Sequence, residues 1–263
     1  MKLYPINTGF FKLDGGAMFG VVPKSLWQKT NPPDTNNMCS WAMRCLLIEI
    51  EDKLILIDTG IGNKQSDKFF SHFHLHGNDT LINSIQNNGF TKNDVTDVIL
   101  THLHFDHCGG AVNQFKSEYH LAFPNANYWT NKKHWEWANN PNQREKASFL
   151  KENFIPIEKE NKLKFLEEGL FCKGVEIKFF HGHTESQIIP FIKTNNKTVV
   201  FCADLLPSTG HIPLPYVMGY DIRPLTTLIE KENFLNEATE KKYILFLEHD
   251  YYNECCSVTK LNN

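Results

Sequence analysis

The 263-residue chain contains no uninterrupted apolar stretch close to the ~20 residues of a bilayer-spanning helix, which excludes a helical membrane protein. Nor does an apolar leader follow Lys2: Pro5, Asn7, Gly9 and Asp14 interrupt it, so no secretory signal is expected. Basic charge is not in excess. Lys and Arg total 27 against 30 Asp and Glu, and a net charge of −3 argues against nucleic acid as the main partner. Cysteine lacks framework spacing: the seven residues are an odd number, and Cys255-Cys256 read as ordinary thiols. A reducing compartment follows, and the expected location is the cytoplasm. Repeats and low-complexity tracts are also missing.

At 41% hydrophobic, the chain can bury a large core. Its apolar residues fall into short continuous runs, the pattern of strands covered on both faces. Five of these runs end in a residue able to hold a metal. LILI ends at Asp58, and DVILT leads directly into His102-Leu-His104-Phe-Asp106-His107. EIKFF ends at His181-Gly-His183, VVFCA at Asp204, and ILFLE at His249. In open α/β architectures ligands gather beyond the carboxyl ends of strands.

The H-x-H-x-D-H element has a mechanical logic. His102 and His104 are two apart, so an extended backbone points them the same way and they can share one metal. Asp106 and His107 fall where Gly109 and Gly110 let the chain turn, so they can face a second metal. Neutral imidazole and carboxylate suit zinc, and a dinuclear His/Asp site leaves room for water where a closed cysteine-rich structural site does not.

Other segments frame these donors. RCLLIEIE and KLILID around Asp52-Lys53 predict a hairpin, and helices are predicted over 79–89, 132–138, 143–153 and 226–241. His72, His74 and His76 form an HxHxH away from any apolar strand, read as a polar loop. His120 and His134 carry no partner signal and are read as surface residues. Cys202 points to the same face as Asp204 and is read as a small core hydrophobe. Phe69, Phe70 and Phe73, with Met18, Phe19, Trp27 and Trp41, are open to two readings: core, or an apolar entrance.

THLHFDHCGG, GHT at 182–184, the aspartate at 204 and EHD at 248–250 resemble the metallo-β-lactamase superfamily. Within it, DGGAMFGVVPKSLW is similar to the branch of quorum-quenching N-acyl homoserine lactonases and methyl-parathion-type hydrolases. The resemblance implies an α/β fold, a four-layer αββα sandwich forming a single domain over 1–263. It implies that His102, His104 and His183 hold one metal, that Asp106, His107 and His249 hold the other, and that Asp204 bridges. Asp58, from the D-T-G element, would orient a ligand histidine. G-H-T selects His183 over His181. One departure is plain: where lactonases carry a tyrosine three residues after the bridging aspartate, this chain has Pro207.

The expected cofactor is two zinc ions, with iron, manganese or cobalt as substitutes. A hydroxide held between the metals would attack a carbonyl carbon or a phosphorus, and Asp106 would take a proton during turnover. The expected reaction is opening of a lactone ring, with organophosphate triester, carboxylester or thioester hydrolysis as alternatives. An iron-dependent redox relative is disfavoured, since diiron flavoproteins usually show a glutamate where His104 stands. Candidate substrate contacts are Met18, Phe19, Phe105, His211, Met218 and Tyr220. The expected partner is a small-molecule ester, lactone or phosphotriester, with no nucleic acid or membrane and with a homodimer left open.

Overall fold

The computed structural model describes residues 1–260. Its strands are β1 (Lys2–Asp14), β2 (Met38–Ile50), β3 (Lys53–Ile57), β4 (Asp97–Ile99), β5 (Val112–Phe115), β6 (Glu118–Leu121) and β7 (Asn127–Asn131). They continue as β8 (Leu163–Leu166), β9 (Gly169–Cys172), β10 (Val175–Phe180), β11 (Gln187–Lys193), β12 (Thr198–Phe201), β13 (Ile244–Phe246) and β14 (Cys255–Cys256). The α-helices are α1 (Gly15–Phe19), α2 (Lys24–Trp27), α3 (Asp67–Ser71), α4 (Leu81–Asn87), α5 (Phe105–Cys108), α6 (Lys132–Asn139), α7 (Ile155–Lys159) and α8 (Pro224–Glu240). Among the described residues, no helix is long and apolar enough to cross a membrane. The chain resolves into two compact units. The first combines Met1–Phe11 with Ala42–Glu167, and the second combines Lys12–Trp41 with the chain from Glu168 onward.

The sheet of the first unit has the order β1-β2-β3-β4-β7-β8, with β5 and β6 paired separately. Ile50 faces Lys53 across the β2–β3 hairpin, and its two-residue turn puts Glu51 at a φ of 51°. From β3 to β8 the neighbours are parallel, and buried Leu56, Val98 and Tyr128 build the core with Leu47, Leu100 and Phe123. Parallel pairing has a direct consequence for function. Ile57 lies opposite Ile99, so the chain leaves β3 at Asp58 and β4 at Thr101-His102 on the same edge.

The sheet of the second unit runs β14-β13-β12-β11-β10-β9. β12 and β13 are parallel, with Phe201 opposite Phe246. β10 is antiparallel to β11, and β11 to β12, so β10 points the same way as β12 and β13. Their carboxyl ends deliver His183, Asp204 and His249 to one edge. The buried residues of α8 are Thr227, Lys231, Phe234 and Ala238, three and four apart and therefore on one face. Phe234 meets Phe180 and Phe191 edge-on, with ring centroids 6.3 Å apart in both pairs.

Three expectations change. The helix predicted over 143–153 is a run of turns followed by a 3-10 turn at Lys151–Asn153. The stretch opens as a helix would, with Asn142 capping the backbone N–H of Arg144 (2.8 Å) and Glu145 (3.1 Å), but Ser148 N–H turns back to Glu145 O (2.8 Å), three residues away, and the chain closes in tight turns instead of continuing. His134 is fully buried rather than on the surface. Met18, Phe19, Trp27 and Trp41 are also buried, at 2% exposure or less, which makes them core of their unit and not an open entrance.

Candidate metal centre

In the first unit the donors are assembled around one carboxylate. Asp58 is completely buried and sits at a φ of 57°, a left-handed conformation that non-glycine residues seldom adopt. Its Oδ1 accepts from Thr101 N–H at 2.7 Å, and its Oδ2 accepts from the Thr101 hydroxyl at 2.6 Å. The same Oδ2 lies 3.1 Å from His107 Nδ1. Because the Thr101 hydroxyl donates to Asp58, its oxygen is left to accept from His102 Nδ1, 3.1 Å away. One carboxylate thus fixes two imidazoles, one directly and one through a threonine. With Nδ1 of each ring engaged as a donor, the lone pair of each neutral imidazole is carried on Nε2.

His104 completes the cluster. Its Nδ1 lies 3.1 Å from His102 Nε2, so the two rings converge on one point. His107 Nε2 is 3.8 Å from Asp106 Oδ2 on the short helix α5. This turn closes tightly: Gly110 N–H donates to Gly60 O at 2.9 Å, and the Lys64 ammonium donates to Gly109 O. His134 was missed by sequence reasoning, since its partner is a backbone group. Its Nε2 accepts from Leu103 N–H at 2.8 Å, which pins the residue between His102 and His104. Phe105 is half-buried, packing on Phe69 and Phe73 with centroids 5.3 and 4.7 Å away.

In the second unit His183 lies between two carboxylates. Nδ1 is 2.9 Å from Asp221 Oδ1, and Nε2 is 3.0 Å from Asp204 Oδ2. Burial alone would pull this imidazolium down, but Asp204 and Asp221 outweigh it and raise the pKa to about 10. A cation must displace that proton to bind. His249 Nε2 stands 3.1 Å from the other Asp204 oxygen. His181 instead faces Glu185 at 3.2 Å. The Cys202 thiol is buried, directed at Val200 O (3.5 Å), and lifted well above its usual range by desolvation. Among the exposed histidines, His72 and His74 lie in the loop after α3. His76 stacks on Phe10, with centroids 5.5 Å apart.

His211 is part of this unit's core. Nδ1 lies 2.8 Å from Ser208 Oγ and Nε2 2.9 Å from Met18 O, and the ring stacks on Phe19 at 4.4 Å. Lys231, buried on α8, donates to the carbonyls of His211 (2.8 Å), Pro213 (2.9 Å) and Tyr216 (2.9 Å), tying down the loop that carries Met218, Tyr220 and Asp221. Met218 is buried, whereas Tyr220 is 40% exposed. Burial pushes the His211 imidazole down to about 4, and the Lys231 ammonium adds to the effect. Stability from this neutral ring is complete above about pH 6.5, the ordinary histidine value, and is lost as pH falls toward 4. At pH 4.5 the loss is about 2–3 kcal/mol. Urea unfolding at pH 7.5 and 4.5 is therefore expected to show a smaller acid penalty in His211→Gln than in the wild type. An equal penalty in both would show that the buried ring does not titrate this way.

These donors fit a divalent metal. They are buried, they are imidazole and carboxylate throughout, and within each unit they face one another rather than apolar filler. Residues 44–249 match the model of the metallo-beta-lactamase superfamily, and the chain belongs to that family and has its α/β fold. It is a metal-dependent hydrolase. A crystal structure of a probable metal-dependent hydrolase from Staphylococcus aureus superposes with a TM-score of 0.92 at 30% identity, over 98% of this chain and 92% of that one. The N-acyl homoserine lactonase AiiA of Bacillus thuringiensis subsp. kurstaki is 25% identical over 96% of this chain and 94% of its own length. The fold is shared too by AidC, a dizinc quorum-quenching lactonase solved with a homoserine product. It has a TM-score of 0.80 at 23% identity, over 98% of this chain and 90% of that one.

Proposed function

We propose that the chain is a dinuclear-zinc lactonase acting on N-acyl homoserine lactones as a single catalytic domain. In this reading His102, His104 and His183 hold one metal, Asp106, His107 and His249 hold the other, and Asp204 serves both. The observation that carries it is the pairing of ligand-type histidines with buried carboxylates: Asp58 on His107, Asp58 through Thr101 on His102, and Asp221 on His183. Such outer partners fix tautomers and raise ligand basicity, and have little other reason to be buried in this number. Full-length similarity to a homoserine lactonase supports the substrate class.

The metals, when bound, would supply Lewis acidity toward the ester oxygen and acidify a water. The remaining work belongs to the chain. The Asp106 carboxylate receives a proton during turnover and returns it to the leaving alcohol. Phe105, half-buried with Phe69 and Phe73, gives an apolar surface for the acyl chain. Tyr220, 40% exposed on the loop tied down by Lys231, is assigned to contact a substrate oxygen, since position 207 has no side-chain donor. Met18, Phe19, Met218 and His211 act from beneath, by shaping the loops that carry the exposed contacts. With both ring nitrogens of His211 engaged, its contribution is support.

The test is a series of homoserine lactones of increasing acyl length, run beside aryl esters and paraoxon-type triesters. Each added methylene that is buried contributes ~0.8 kcal/mol, so kcat/KM is expected to rise roughly fourfold per methylene until the groove is filled. Metal analysis of the same preparation is expected to find about two zinc per chain. A lactone kcat/KM no better than that for aryl esters, with no dependence on length, would overturn the lactonase reading.

A further inference from the structure

Resting on the reading of His104 as a metal ligand, we infer that Glu145 is a positioning residue that holds this histidine in its ligating tautomer. Glu145 is 3% exposed, yet it lies in a polar turn between α6 and the 3-10 turn at Lys151–Asn153. Its Oε2 accepts from Trp137 Nε1 and from Asn142 Nδ2, each at 2.7 Å. Its Oε1 lies 3.5 Å from His104 Nε2.

The geometry at His102 and His104 makes this contact consequential. The two rings approach through His102 Nε2 and His104 Nδ1, so His104 must present its lone pair from Nδ1 and carry its proton on Nε2. The opposite neutral tautomer would aim an N–H at the very point where a cation has to sit. A carboxylate beside Nε2 stabilises an N–H there and disfavours the tautomer lacking one.

The surrounding chain is built to keep Glu145 in place. Asn142 accepts from the Glu145 backbone N–H at 3.1 Å and donates to its carboxylate. Ser148 N–H donates to Glu145 O at 2.8 Å, and Ser148 O accepts from Phe105 N–H, next to His104, at 3.0 Å. Phe149 packs on the His104 ring with centroids 4.9 Å apart. The turn is therefore tied to the histidine by backbone, ring and carboxylate together.

Glu145→Gln separates positioning from packing. The glutamine oxygen would satisfy Trp137 and Asn142, leaving its NH2 against His104 Nε2, a donor facing a donor. That arrangement favours a proton on Nδ1, the non-ligating form. Two measurements are required: zinc affinity by chelator competition at pH 7.5, and the His104 tautomer by nitrogen-15 NMR of the metal-free protein. In Glu145→Gln, one zinc site is expected to weaken 10- to 100-fold while the other is unchanged. The His104 proton is expected to shift from Nε2 toward Nδ1, and the melting temperature of the metal-free protein to stay close to wild type. Glu145→Asp, which retains the charge, is expected to recover part of the affinity. Unchanged affinity together with an unchanged tautomer would overturn the inference. If the wild type takes up no zinc but the tautomer shifts as expected, the metal assignment fails and the positioning role stands.

Discussion

Asp58→Ala is expected to destabilise the protein by about 4 kcal/mol, because it strands several donors at once. The Thr101 backbone N–H, the Thr101 hydroxyl and His107 Nδ1 all converge on this carboxylate, in a position with no solvent exposure. Each unsatisfied buried donor costs about 1–3 kcal/mol. The backbone adds to the loss, since alanine is unfavourable at a φ of 57°. Metal uptake should fall in parallel, as His102 and His107 lose the groups that orient them. Asp58→Asn separates the two effects: asparagine tolerates the left-handed backbone and can still accept from Thr101, but it opposes an NH2 to His107 Nδ1. It should recover much of the stability and little of the metal affinity. Urea unfolding of the metal-free protein, with zinc titration of each variant, reads both quantities. Asp58→Ala unfolding within about 1 kcal/mol of wild type would show that the carboxylate is not the hub described.

Gly109→Ala is expected to cost about 3 kcal/mol or more, for a purely steric reason. A Cβ at this position would overlap the carbonyl of Ile61, which is backbone and cannot rotate away. Gly62, at a φ of 71°, is packed in turn against the Gly109–Gly110 peptide, and the Lys64 ammonium holds the Gly109 carbonyl. The clash can be relieved only by moving the turn that carries Asp106 and His107, so stability and metal binding should fail together. Gly89→Ala is the matched comparison. It has a φ of 86° with nothing within 4 Å of the added carbon, so only backbone strain of about 1 kcal/mol is expected. Equal melting temperatures for the two variants would refute the steric account.

The strand-end donors were readable because each follows directly on a short apolar run, and a run of that kind fixes both the strand and where it stops. Asp58, His102, His183, Asp204 and His249 are all of this type. The residues that orient them were harder to read, because their signal is not local. His134 sits among charged residues at the start of α6, and only folding reveals that its partner is the Leu103 backbone. Glu145 lies in a stretch whose spacing reads as a helix and which Asn142 caps like one, until Ser148 N–H turns back to the Glu145 carbonyl and closes a tight turn. Lys231 looks like the polar face of α8, yet it is buried against three carbonyls of a loop ten or more residues away in sequence. Met18 and Phe19 were ambiguous because an apolar pair after a glycine fits an entrance as well as a core. A stack of Trp27, Phe19 and His211 decides for core.

The division of the chain bears on how it can be made. Neither unit is continuous: 12–41 is set aside from the first unit and finds its companions only after residue 167. β1 and β2 each begin in one unit and end in the other, at Phe11–Lys12 and Trp41–Ala42. During synthesis, the segment holding Met18, Phe19 and Trp27 must therefore wait, with its aromatic surface uncovered, until His211 and α8 have left the ribosome. Contacts separated by almost 200 positions, such as His211 to Met18, close late and slowly. A chain severed at 167–168 yields one fragment that holds the whole first unit plus an uncovered 12–41, and a second that lacks the 12–41 its unit needs. Nascent chains stalled before α8 should be the ones that chaperones bind and proteases remove.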